Sequence, residues 1–309
     1  MNPIFMVGAE RSGTTLLRLM LDGHPQISWL NEFEYSVDQI PDTGWPDLDS
    51  YQDYLSRHRI FSATGFTIDP GLSYPELIKS FLGQKQSRDN KSIIGATCHR
   101  HYDKLLRLFP NARFIYLLRD PRDVARSNIY MGWAGNVWTG VERWREAEAL
   151  WAEMKARLPA QSYIEVRSEE LVTSSRETLT AICDFLKVDY DPGLLSYPER
   201  TTYSRPDPTL TEQWKRKLTE RQIGLVEAKV GEAMVARGYP LHLAAVKPPS
   251  GLEQLWLLIQ DKLYRTRFRI DRFGLPMIAG LFLSRILGLS SAERRLEVKY
   301  MERERAFVK

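Results

Sequence analysis

The sequence predicts an α/β fold built on a mainly parallel sheet, with a helical appendage after it. Two observations point to the sheet and one to the appendage. The apolar run at Ile4–Val7 ends at Gly8 and feeds an amphipathic stretch, Thr14–Asp22. The same succession recurs where Arg113–Leu118 (RFIYLL) runs into Arg119-Asp120-Pro121 and a helix starts at Arg122. Strands alternating with helices argue for parallel pairing, with polar turns gathered at the carboxyl ends of the strands. After Leu243 the composition changes to Pro248-Pro249, a basic-aromatic stretch, an apolar run and a charged end. The expected division is therefore a domain over 1–243 and a helical extension over 244–309.

Ile4–Val7 is short, apolar and glycine-ended, as a buried strand is. In the helix after it, Leu16, Leu17, Met20 and Leu21 share a side, and Gly23-His24-Pro25 stops it. Residues 27–30 fit a second short strand. The stretch 31–87 is polar and interrupted by Pro41, Pro46, Gly65, Pro70 and Pro75, so helices and loops covering a pocket are expected there. A strand is expected at 92–97 and a short helix at 102–108. A longer helix is expected over 138–158, where Trp144 and Trp151 form one core-facing stripe. Further on, 162–166 reads as a strand, 174–186 as a helix and 211–237 as two helices.

The 309 residues are 43% hydrophobic and 27% charged, an ordinary globular composition. A net charge of +4 suits an anionic ligand or surface but argues for no nucleic-acid partner. Cys98 and Cys183 lie far apart and form neither a metal spacing nor a secreted disulfide framework. No bound metal is expected. The opening MNPIFMVGAE lacks the regions of a signal peptide, so a cytoplasmic chain is expected. The apolar run 273–289 carries Pro276 and Arg285 and is marginal for spanning a bilayer.

The turn GAERSGTT, Gly8 to Thr15, almost spells the phosphate loop G-x-x-x-x-G-K-[ST], but Thr14 stands where the lysine belongs. A glycine-spaced turn at a helix start aims backbone N–H groups at an anion. Arg11, Ser12, Thr14 and Thr15 add donors, so anion binding survives the loss of lysine. Cleavage of a metal-bound triphosphate does not, because that lysine reaches the β- and γ-phosphates.

The run G-x-x-R-S-G-T-T-L-L, followed by Asp22-Gly23-His24-Pro25, resembles the 5′-phosphosulfate loop of sulfotransferases. It looks closest to tyrosylprotein sulfotransferases and their bacterial relatives. The run from Leu108-Phe109-Pro110 through Leu118-Arg119-Asp120-Pro121-Arg122-Asp123 to Ser127 resembles that family's 3′-phosphate site. The resemblance covers about residues 3–240. It implies a three-layer, P-loop NTPase-like domain and transfer of a sulfuryl group from 3′-phosphoadenosine-5′-phosphosulfate (PAPS) with release of 3′,5′-ADP. It also implies that Arg11, Ser12, Gly13, Thr14 and Thr15 surround the 5′ group and that Arg119 and Ser127 hold the 3′-phosphate. Glu32 stands where the tyrosylprotein enzymes place their catalytic glutamate, just beyond the strand at 27–30. A carboxylate there suits a general base for an acceptor hydroxyl, and Glu34 is the solvated or paired neighbour.

Two departures matter. Many relatives carry a lysine before the Leu-Phe-Pro run that assists the leaving group. Here the region reads Gly95-Ala96-Thr97-Cys98-His99-Arg100-His101, with no such lysine, and Arg11, His99, Arg100 and His101 are the candidates for that part. Ser168 replaces a tyrosine that frames the nucleotide in relatives, which turns attention to 201–217, with Tyr203, Arg205 and Trp214, for adenine contacts. Trp133, Asn136 and Trp138, interleaved with glycines, fit either a lid or core packing.

The acceptor is expected to carry a hydroxyl, on a sugar, a tyrosine, a lipid or a small molecule. Two rival readings are a P-loop-type nucleotide kinase and a non-catalytic nucleotide- or anion-binding protein. For the extension, 268–289 with basic residues ahead of it fits either a helix on an anionic membrane surface or a surface packed on the domain or a second subunit, with packing preferred.

Overall fold

Continuous apolar runs become strands covered on both faces, and the runs read above do so here. The computed structural model describes residues 2–307, so Met1, Val308 and Lys309 of the expected domains lie outside the described residues. Five strands form one sheet: β1 (Ile4–Val7), β2 (Ile27–Glu32), β3 (Ile93–Cys98), β4 (Arg113–Leu118) and β5 (Tyr163–Arg167). Their order is β2-β3-β1-β4-β5 and every pair is parallel.

Alternate side chains enter two separate cores. Ile4 and Met6 join the core under α1 (Thr14–Asp22), whereas Phe5 and Val7 join the opposite one. That second core is closed by α2 (Tyr74–Asp89), α3 (Pro121–Tyr130) and α4 (Glu142–Lys155). After β5, α5 (Ser168–Thr173) and α6 (Ser175–Leu186) return to the α1 face, and α7 (Glu220–Ala236) packs on the other. The helices after β1 and β4 thus leave toward opposite faces, and the turns between them open a crevice at the carboxyl edge of the sheet.

The helices expected within 31–87 include a long one, α2, whose Leu77, Ile78, Phe81 and Leu82 are fully buried. Pro75 does not break it, because proline in a first turn removes no needed donor, and a Ser73–Glu76 capping box starts the helix there. Two other expectations need correction. The helix expected over 138–158 is two pieces, Val137–Gly140 and α4. A Cβ on Gly140 would stand 2.7 Å from the Ala125 carbonyl oxygen, so the chain crosses α3 closely at that point. Finally, β2 runs on to Glu32 through a bulge, since Leu30 pairs with Ala96 and Glu32 with Thr97, leaving Asn31 over.

The extension forms α8 (Gly251–Phe273), α9 (Leu275–Ile286) and α10 (Ser290–Phe307). Gly274, with φ 87, separates α8 from α9, so the apolar run is not one continuous helix. No helix among the described residues is long and apolar enough to cross a membrane. α8 docks on the segment after α3, where Asn136 donates to the Leu257 carbonyl at 2.7 Å.

Candidate active site

The turn between β1 and α1 is held in a shape that few sequences tolerate. Gly8 has φ 141, and a Cβ there would stand 2.4 Å from the Leu117 carbonyl oxygen. Gly13 has φ 90, and its Cβ would stand 2.6 Å from Ser168 Oγ. Arg11 takes a left-handed φ of 69 without glycine's freedom. Bonds at both its ends hold it there: Arg119 Nη1 donates to the Arg11 carbonyl at 2.9 Å, and Arg11 Nε donates to Ser127 Oγ at 3.0 Å.

α1 starts without a side-chain cap, so its first N–H groups face the mouth of the turn. Ser12 Oγ is buried and has no hydrogen-bond partner. A buried hydroxyl left unpaired beside uncapped N–H groups and two arginines is a poor arrangement for water alone and a good one for a tetrahedral anion.

The second turn, after β4, is braced from behind. Asp120 caps α3 by accepting from the Arg122 N–H, and both its carboxylate oxygens accept from the Arg122 guanidinium at 2.9 and 2.7 Å. Arg122 also donates to Glu227 at 2.9 Å, and its guanidinium lies 3.6 Å from the Trp214 ring centre. Glu169 accepts from the Asp120 N–H at 2.9 Å and from Tyr239 at 3.0 Å. With Asp120 committed to Arg122, Arg119 turns to the first loop instead of forming a surface pair. Trp214 is buried, and its backbone N–H donates to Asp123, so the expectation that it contacts adenine is replaced by a structural role. Ser168 is buried against Gly13.

Glu32 is exposed on the same edge, at the end of β2. Its charge reaches Arg11 and Arg18: burial lowers the pKa of both guanidiniums, and Glu32 opposes that effect in each. Tyr203 opposes it in each as well, so of the 201–217 segment Tyr203 lies near both guanidiniums.

His99 stands directly after β3 and touches the loop. Its Nδ1 lies 3.1 Å from the Gly8 carbonyl oxygen, which can only accept, so Nδ1 carries the hydrogen. Its Nε2 lies 3.5 Å from Thr14 Oγ1. His101 is exposed, and Arg100 is held in an ion pair with Asp38 at 2.6 Å.

Of the two alternatives for Glu34, solvated or paired, the structure shows the paired one. Glu34 is buried and accepts from the His99 N–H at 2.8 Å. Burial raises its pKa, with His99 opposing and Glu32 adding to the rise. The native state therefore keeps this proton to higher pH than the unfolded chain does. The stability it contributes is complete below the ordinary carboxylate range and is lost as pH climbs through the raised value. Glu34→Gln keeps the acceptor and removes the titration. Its melting temperature is expected to fall less than that of the parent chain between about pH 5 and about pH 8. Parallel melting curves across that interval would refute the assignment.

With this geometry in place, the comparisons with known proteins become informative. Residues 3–192 match the sulfotransferase family, a span holding both turns, Glu32 and His99. The chain belongs to that family. A relative from Caenorhabditis elegans, "Protein-tyrosine sulfotransferase A", is 24% identical over 204 residues, covering 63% of this chain and 52% of the relative. The chain thus spans about half the length of that curated relative. Among solved structures, the sulfotransferase domain of the Synechococcus PCC 7002 olefin synthase superposes with a TM-score of 0.54 at 20% identity. That match covers 76% of this chain and 95% of the other. The sulfotransferase domain from the curacin biosynthetic pathway gives 0.53 at 19%, covering 75% and 97%. These two likenesses show a shared fold. The sulfotransferase fold here also carries a feature that its motifs do not announce. The Trp133 ring lies under both Arg11, at 5.8 Å, and Arg143, at 4.9 Å, at the edge of the crevice. Asn136 and Trp138 point elsewhere, toward α8 and under Lys229.

Proposed function

We propose that this chain transfers a sulfuryl group from PAPS to an acceptor hydroxyl and releases 3′,5′-ADP. One observation carries the reading: Arg11, Arg119 and Ser127 are bonded into one cluster that joins the two turns, beside an unpaired Ser12 hydroxyl. Two anionic groups on one ligand, one at each turn, account for both. Gly13, Thr14 and Thr15, with Ser12, would hold the 5′ end, and Arg119 with Ser127 the 3′-phosphate. PAPS supplies the sulfuryl group on a phosphate that suits departure.

Glu32, exposed at the crevice edge, takes the acceptor hydroxyl proton onto a carboxylate oxygen as the new S–O bond forms. Arg11 stabilises the charge that the departing phosphate oxygen gathers. His99 supports the same end through Nε2 beside Thr14, in place of the absent lysine. The acceptor is a hydroxyl compound, for which Trp133 offers an aromatic wall at the crevice mouth. Both cysteines are buried and unpaired, which fits the expected reducing compartment.

Thermal shifts test the donor assignment. 3′,5′-ADP is expected to raise the melting temperature more than 5′-AMP does, and Ser127→Ala should shrink the difference. A larger shift with ATP plus Mg²⁺ favours the kinase reading. A shift without transfer from labelled PAPS to any acceptor in a cell extract favours the non-catalytic one.

A further inference from the structure

We propose that the outward stripe of α8 is a surface anchor that seats on the headgroups of a bilayer carrying anionic lipids. The inference is independent of the transfer reaction.

α8 carries two faces at helical spacing. The inward face docks on the domain. Leu257 is buried, Asp261 accepts from the Gly135 N–H and from the Thr139 hydroxyl, each at 2.7 Å, and Phe268 packs on Gly132. The outward face repeats Leu252, Leu255, Ile259, Leu263 and Ile270 at intervals that keep one side of a helix, with Trp256 alongside. Leu252 is 83% exposed, Leu263 62% and Trp256 59%. The neighbouring α9 adds Phe282, Leu283 and Ile286 to the exposed apolar surface, and Leu287 follows it. Most large apolar side chains exposed among the described residues fall in 252–298, a density above ordinary surface scatter. The sequence alone placed the candidate surface helix over 268–289; the structure moves its core to 252–270.

Charge selects the occupant. Lys262 and Arg269 border the stripe on one side, Arg267 on the other is paired with exposed Asp271 at 3.7 Å, and Asp261 is turned into the docked side. A second copy seated on the same patch by two-fold symmetry would bring these cations toward one another. Anionic headgroups complement them. No helix among the described residues spans a bilayer, so the contact is interfacial, and Trp256 sits where an amphipathic ring suits the headgroup level.

The test is co-flotation of the full chain with phosphatidylcholine vesicles, with and without phosphatidylglycerol. Binding is expected only with the anionic vesicles and should weaken as salt rises. The double variant Lys262→Glu/Arg269→Glu should lower the partition about tenfold or more. Ile259→Glu should lose binding while keeping the parent melting temperature and the response to 3′,5′-ADP. If Ile259→Glu is destabilised, the charge-reversal variant alone decides. Absence of flotation with anionic vesicles overturns the proposal, as does equal flotation of parent and charge-reversed chains. A dimer in sedimentation that Ile259→Glu splits, without vesicle binding, assigns the patch to a second copy instead.

Discussion

Glu32→Gln is expected to slow sulfuryl transfer about 10²- to 10⁴-fold without shrinking the thermal shift with 3′,5′-ADP. The amide keeps the size of the side chain and removes its ability to take a proton. Glu32 is exposed, and taking its negative charge away from beside Arg11 does not disfavour an anionic nucleotide, so donor binding is not expected to weaken. Single-turnover rates with saturating PAPS separate the two effects. Glu34→Gln is the matched control, because Glu34 is buried behind His99 and away from solvent. A transfer rate within a factor of ten of the parent falls below the range of a general base and would remove Glu32 from that role. A comparable loss in Glu34→Gln alone would move the base assignment to the interior carboxyl.

Arg122→Ala should cost about 3–5 kcal/mol of stability, because it strands two buried carboxylates. Arg122 is 2% exposed, serves both oxygens of Asp120, reaches Glu227 and stacks on Trp214. For a chain of this size the loss corresponds to a fall in melting temperature of roughly 6–20 °C. Glu227→Gln in the Arg122→Ala background should recover part of it, since one stranded charge is gone. Removing an exposed pair such as Arg57 with Asp53, each nearly half exposed, should move the melting point by far less. An Arg122→Ala chain that melts within about 2 °C of the parent would mean that the carboxylates find other partners or take up protons at little cost. The change should also weaken 3′,5′-ADP binding, because Asp120 then no longer holds the turn from which Arg119 extends.

The sheet was largely legible because its signals are local. Ile4–Val7 and Arg113–Leu118 are apolar runs ended by polar turns, and both are strands. Membership of the family was legible for the same reason, since each motif is a short run around one turn. What escaped depended on distance or on exceptions to a rule. Helices were expected in 31–87, but where α2 starts was hidden by Pro75, which reads as a breaker anywhere except a first turn. Trp214 looked like an adenine platform among lysines and an arginine, and only tertiary contact shows Arg122 covering it. The Arg122–Glu227 pair joins residues more than a hundred positions apart and leaves no pattern in the sequence. In the candidate site, Arg11, Arg119 and Ser127 could each be singled out from their motifs. That Arg11 itself reaches Ser127 depends on the left-handed backbone at position 11, which an arginine does not advertise.

The leftover residue in β2 has a consequence for how this edge could change. Leu30 and Phe33 enter the same core although three positions separate them, which an unbroken pleat forbids; Asn31 supplies the odd step. Phe33 thereby meets Phe5, with ring centres 6.2 Å apart, while Glu32 is left to look outward. Deleting Asn31 would retain every chemically active group and reverse their sides, driving a carboxylate inward and an aromatic ring into water. At this point on the chain, counting matters as much as chemistry: shortening by a single unit should be more damaging than many changes of side chain.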